Sequence, residues 1–557
     1  FSAACWEFGR GAMKRFLVVL AAAAVAAGPA FAQETHSHSH GAGEELGEVH
    51  FPTSCNAEVE ADFTRAVALL HSFGYEESRR AFEVVAEKDP ACAMAYWGIA
   101  MTYYHPIWSA PNAAELAAGR AAAEKAAALG GGTERERAYV DAVNVFYRDS
   151  QTLPHAARAA AYEESILAVS RRFPDDHEAT IFYALLLCAP SSDPAFARQK
   201  KGAAILNGLL PVEPRHPGIT HYMIHAFDYP PLASEALPAA RSYAKIAPAS
   251  PHALHMPSHI FTRLGLWQES IASNIASADA ARRLAAERHP GAFSFDAMHA
   301  LDYLEYAYLQ IGDDAKARAV FDEAVAASKF DEAQFAAGYG LLAIPARWTL
   351  ERRDWKGAAD LRLPAAELPW ERYSYAPATT YFAQAVGAAR SGQLDRARVA
   401  LGKLKDVQVA LASAPPPGYD WPSEVEAMRL AAAAWIAYGE GRKDEAVMLA
   451  RAGADLEDKT GKHPVTPGSV LPARELLADL LLAEGRPADA LREYEVSLRE
   501  APARFNSLVG AARAAEQAKE FKRSREYWQQ LLAQTVAGSK RPEIEEARRA
   551  IRKAGAA

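Results

Sequence analysis

The chain has 557 residues, half of them hydrophobic, and a formal charge of −8. That length is too great for one ordinary hydrophobic core unless repeats extend it. Abundant Ala, with Leu, Arg and Glu and few β-branched runs, favours helices. No Lys/Arg cluster is dense enough to suggest a nucleic-acid partner.

The first predicted element is "MKRFLVVLAAAAVAAGPAFAQ" at 13–33. Lys14 and Arg15 give a basic start, Phe16 to Ala27 an apolar stretch, and Ala30-Phe31-Ala32 a small-x-small cleavage site. This is the pattern of a secretory signal (13–32) cut after Ala32, too short to remain as a membrane span. Residues 1–32 are therefore expected to be upstream residues before Met13 plus this signal, and the mature protein to be periplasmic or secreted. It would carry no integral membrane segment and a charge of about −10. Residues 33–54 read as a flexible His-containing segment. In it His36, His38 and His40 stand in a Ser-rich tail, with a spacer and a loose metal scavenger both open as readings. After cleavage Cys55, Cys92 and Cys188 remain. Three buried thiols satisfy that count; so does a Cys55–Cys92 disulfide, which an oxidising compartment permits and which contributes about 4 kcal/mol on the chain-entropy model.

From there a repeat organises the chain. "LLHSFGYEESRRAFEVVAEKDP" (69–90) has a Gly74-Tyr75 turn, Ala81-Phe82 and an Asp-Pro stop. Looser copies fill 92–130 and 134–173. Turns recur at Gly265, at Gly312, in "ERRDWKGAADL" (351–361), in "RSGQLDRARVAL" (390–401) and in "GEGRKDEAVMLA" (439–450). "PARELLADLLLAEGRPADALREYEVSLREAP" (472–502) shows the unit most clearly, and a shift of 34 carries Ala490 to Ser524, Tyr494 to Trp528 and Leu498 to Leu532. Helix, Gly-polar turn, helix with Ala then an aromatic, and closing Pro together resemble the tetratricopeptide repeat (TPR). The resemblance covers most of 55–535. It implies an all-α fold, an α-solenoid of about ten TPR-like helix pairs, laid out as an N-terminal solenoid (55–330) with a His-rich groove and a C-terminal one (331–557). In that family the first helix of each pair lines the concave groove, so a protein, peptide or small ligand is the expected partner. The chain is most similar to exported bacterial TPR proteins with His-rich first helices.

The candidate site lies in "HYMIHAFDYP" (221–230) and "HALHMPSHIF" (252–261). His221 and His255 are 34 residues apart, and so are His225 and His259, which places two i,i+4 pairs in register on consecutive first helices. Histidines so spaced share a helix face and can chelate one ion, and imidazole suits zinc, copper, nickel or iron. Register from Gly312 adds Asp302 as a ligand candidate and Tyr306 as a groove residue. Glu178, Asp228, His252, His299, Glu305, His71 and His105 are the other groove candidates; Tyr104, His105 and Trp108 could wall one end of the groove, and Arg347, a groove position of a later repeat, could bind a carboxylate or be a solvated charge. Pro257, between His255 and His259, threatens to turn His255 away. Three functions stay open: a groove-binding protein with a His-rich metal site, a metal-dependent enzyme using Asp302, Glu305 or Tyr306 as acid–base groups, and a metal-free scaffold. No nucleophile elbow, phosphate-binding loop or dinucleotide fingerprint is present.

Overall fold

The computed structural model describes residues 45–107, 110–189, 193, 195–416 and 418–555. The signal, the His36–His40 tail and Trp108 lie outside these residues. Among the described residues twelve helix pairs follow one another, from Glu60–His71 with Tyr75–Lys88 to Phe505–Gln517 with Phe521–Gln534, before a last helix Pro542–Gly555. Only isolated bridges, Phe293 with Phe330 and Lys329 with Glu367, stand in for sheet. The fold is an α-solenoid of tetratricopeptide type. Among the described residues no helix is long and apolar enough to cross a membrane.

One local motif makes the repeat. At eight turns an N–H reaches back five residues to a carbonyl at 2.8–3.0 Å: Gly74 to Leu69, Leu266 to Phe261, Asp313 to Tyr308, Asp354 to Thr349, Gln393 to Ala388, Arg442 to Ala437, Arg486 to Leu481 and Glu520 to Ala515. This Schellman closure satisfies carbonyls that the helix end would orphan, and it needs a left-handed residue just before the donor. Glycine supplies it in five turns, and Phe73, Arg353 and Lys519 in the others (φ 55°, 55° and 64°). The first turn therefore pivots on Phe73 and not on Gly74, because the phenyl ring has a use there: it packs against His221, His225 and His252 with centroids 4.3, 5.6 and 5.6 Å away. That ring sits at a position costing about 1–2 kcal/mol for an L residue.

Between the helices of neighbouring pairs a small residue meets a large ring. A Cβ on Gly98 would lie 2.4 Å from Phe82, and one on Gly510 2.2 Å from Tyr494, so helix spacing is set by these contacts. Cys55 and Cys92, 37 residues apart, are joined in a disulfide that ties the first pair to the second. Cys188 is a buried thiol.

The winding is tight enough to bring distant pairs together. Trp267 donates to the Ala503 carbonyl (3.1 Å), Phe505 N to Gln310 (2.8 Å) and Val536 N to the Ile311 carbonyl (2.9 Å). Arg504 reaches Tyr306. These contacts cross residue 330, and they turn what an open solenoid would present as a groove into an enclosed interior.

Candidate metal centre

Three consecutive pairs supply the histidines. Pro217, preorganised for a first turn, opens the helix Pro217–Phe227, which carries His221 and His225. Ser250 caps Pro251–His255 by accepting from Ala253 N, and Pro257 opens Pro257–Arg263. Met256, between them, keeps helical angles (φ −52°, ψ −35°). The rotation per residue is thus carried through the break, and His252, His255 and His259 share one face. Pro257 starts a helix without displacing a ligand. Ser294 caps Phe295–Gln310, the helix of His299.

The six rings form two adjoining triads, all buried. In the first, His221 Nε2 lies 3.1 Å from both His225 Nε2 and His252 Nε2. In the second, His255 Nε2 lies 3.1 Å from His259 Nε2, and a ring nitrogen of each, with one of His299, falls within 4.8 Å of the others. Imidazoles bound to one ion at metal–nitrogen distances of about 2.0–2.1 Å stand about 2.9–3.4 Å apart. The spacing fits.

Proton placement decides what these contacts are. His255 Nδ1 faces Asn274 Oδ1 at 2.7 Å, and the Asn274 amide is oriented because its Nδ2 donates to the Ser270 carbonyl at 2.8 Å. His259 Nδ1 faces Asp228 Oδ2 at 3.0 Å. Both partners accept only, so both Nδ1 atoms carry the proton and both Nε2 atoms present bare lone pairs to each other. His221 is set the same way, its Nδ1 donating to the His71 carbonyl at 2.7 Å. Such outer partners are what orient histidines on a metal.

A second proton does not resolve the conflict. Burial, then neighbouring histidines, holds His221, His225, His252, His255 and His299 well below the usual imidazole range. His259 is also lowered, burial outweighing the pull of Asp228. Asp228 in turn is ionised. Burial opposes its charge, but Lys462 (2.8 Å), Arg263 (2.9 Å) and His259 hold its carboxyl well below the carboxylate range. Lys462 comes from the segment between Lys443–Thr460 and Ala473–Ala483, and the same segment gives the Thr466 carbonyl to the Tyr303 hydroxyl at 2.9 Å. That hydroxyl also lies 3.2 Å from His259 Nδ1.

The remaining candidates divide between the triads and the packing around them. Asp302 lies outside the triads: it points to Arg347, with Oδ1 2.5 Å from Nη1, and the residue of Phe295–Gln310 that joins the second triad is His299, one turn earlier. Glu305 shares that guanidinium at 3.4 Å, and the Tyr306 hydroxyl accepts from Arg504. Arg347 binds carboxylates of this chain and is fully buried, not a solvated charge. Asp228 acts through His259, because Tyr229-Pro230-Pro231 ends its helix and swings it toward Arg263. His252 and His299, expected only in the groove, join the triads. Glu178 accepts from His71 Nε2 (2.8 Å) and His216 Nε2 (3.0 Å), and the Tyr222 hydroxyl meets His71 Nδ1 at 2.8 Å. His105 packs on Tyr75 away from the centre, and Tyr104 is core. Sequence reasoning missed Asn274, Tyr303, Lys462 and His216. Only "GKHPVTPGS" (461–469), a Pro-rich break in the repeat, carried any signal.

No family model matches the chain, and no curated protein matches it either. Solved structures similar to it include yeast Tom70 (12% identity, 89% of this chain and 96% of that one, TM-score 0.32). The Cut9–Hcn1 hetero-tetramer of the APC/C is similar at 11% identity (89% and 90%, TM-score 0.32), and a human IFIT1 dimer with m7Gppp-AAAA at 10% (79% and 90%, TM-score 0.38). Likeness at this level says nothing of function.

Proposed function

We propose that this chain is an exported α-solenoid protein that binds a transition metal through His255, His259 and His299. The observation that carries the reading is the pair of bare Nε2 lone pairs 3.1 Å apart, with both tautomers set from outside by Asn274 and Asp228. Two acceptors so close repel in a buried site, and a cation between them removes the repulsion. An all-imidazole donor set suits zinc, copper, nickel or iron. Export is supported by the 13–32 pattern and by the Cys55–Cys92 disulfide, which persists in oxidising compartments. A cavity of about 890 Å³, bordered by His225, Asp228, Arg263 and Lys462, offers room for a small ligand or peptide.

A second reading, a metal-dependent enzyme, is favoured by one feature: three protein donors leave a coordination position open, as catalytic sites do. Elemental analysis of untagged protein, purified without chelator, tests the metal. Near-stoichiometric zinc, copper, nickel or iron that is lost in His259→Ala is expected. Protein that stays metal-free after reconstitution would overturn the proposal.

A further inference from the structure

We infer that the two triads form one dinuclear centre, with a second metal ion at His221, His225 and His252 beside the first; this rests on the metal-binding reading above. The argument for the second position is its own. His221 Nε2 is a bare lone pair, since Nδ1 donates to the His71 carbonyl. Two further Nε2 atoms converge on it at 3.1 Å. A single in-plane lone pair accepts one N–H well, whereas one cation can draw lone pairs from all three rings at this spacing.

The triads also adjoin. His225 and His259 rings are 6.3 Å apart by centroid, and His252 and His255 rings 6.4 Å apart. One ring of each triad, His252 and His299, lines the same cavity of about 70 Å³. Asp296, Asp331 and Glu332 border that cavity, and among the described residues no ion pair engages them.

The positions are unequal. His259 is backed by an ionised carboxylate, Asp228, and His221 by a neutral carbonyl, so the second triad is the stronger base toward a metal. It fills first.

Zinc added to chelator-stripped full-length protein, with bound ions counted after gel filtration, tests this. Two ions per chain are expected in wild type and one in His252→Ala, with Asp228→Asn weakening the tighter step about 10- to 100-fold. One ion in wild type that His252→Ala leaves in place would overturn the dinuclear centre and spare the metal-binding reading. No ion at all would sink both. If His252→Ala fails to fold by circular dichroism, copper(II) electron paramagnetic resonance of wild type decides. Magnetically coupled ions support the centre, and isolated signals overturn it.

Discussion

Two of the buried histidine clusters in this solenoid teach opposite lessons. In the cluster of His71, Glu178 and His216, a carboxylate stands between the rings and accepts from each, at 2.8 and 3.0 Å. The two histidines hold Glu178 well below the carboxylate range even though burial opposes its charge. That group pairs its carboxylate internally and leaves only His216 Nδ1 of its ring nitrogens without a hydrogen-bond partner. In the cluster of His255, His259 and His299 the carboxylate, Asp228, sits behind a ring, so the lone pairs face inward on one another. The same residue types make an internally paired joint in one place and, in the reading proposed above, a cation site in the other, according to where the negative charge stands.

The comparison can be broken by substitution. Glu178→Gln should destabilise the fold by about 3 kcal/mol, because a buried charge network loses its anion, while leaving metal content intact. His255→Gln should do the reverse, losing metal while keeping the metal-free protein within about 1 kcal/mol of wild type, since it removes a repulsion. Urea titration of both variants alongside elemental analysis reads this out. Equal metal loss in both would erase the distinction drawn here.

Asp302 extends the same contrast to an acidic residue. It was a ligand candidate by register, and it lies against Arg347. Asp302→Asn is therefore expected to cost about 2 kcal/mol of stability, with Glu305 left as partner to the guanidinium, and to retain full metal content. Loss of metal at unchanged stability would return Asp302 to the site.

A smaller, pH-dependent effect comes from buried carboxyls with no cation between them. Burial, then Glu457, raises Glu424 to about 8, and burial raises Glu457 to about 7. A carboxyl whose folded pKa is raised takes up a proton on folding. Its contribution is complete below about 4.5, the ordinary Glu value, and is lost as pH rises toward 8. The slope is at most about 1.4 kcal/mol per pH unit for one proton. Glu424→Gln should gain on wild type as pH goes from 5 to 8 in paired thermal melts. A constant difference across that range would mean Glu424 is charged throughout.

The repeat was legible because its causes are local. Turn glycines such as Gly265 and Gly312, the small-to-large contacts and the 34-residue register all lie within one or two helix pairs, where periodicity records them. The register also placed His221, His225, His255 and His259 in one region. It failed at Phe73, because a left-handed phenylalanine leaves no compositional sign, and at Asp302, because Arg347 is 45 residues away on another helix.

By itself, then, the sequence determined the helices, their pairing and the shared face of the four paired histidines, all properties set by spacing along the chain. Only the tertiary structure decided that the face is enclosed, that His252 and His299 complete two triads, and which nitrogens carry protons. Those outcomes rest on contacts between residues far apart in sequence, 150 positions for His71 with His221 and 234 for Asp228 with Lys462. A tightly wound solenoid makes such contacts through its superhelical turn, which no single repeat encodes.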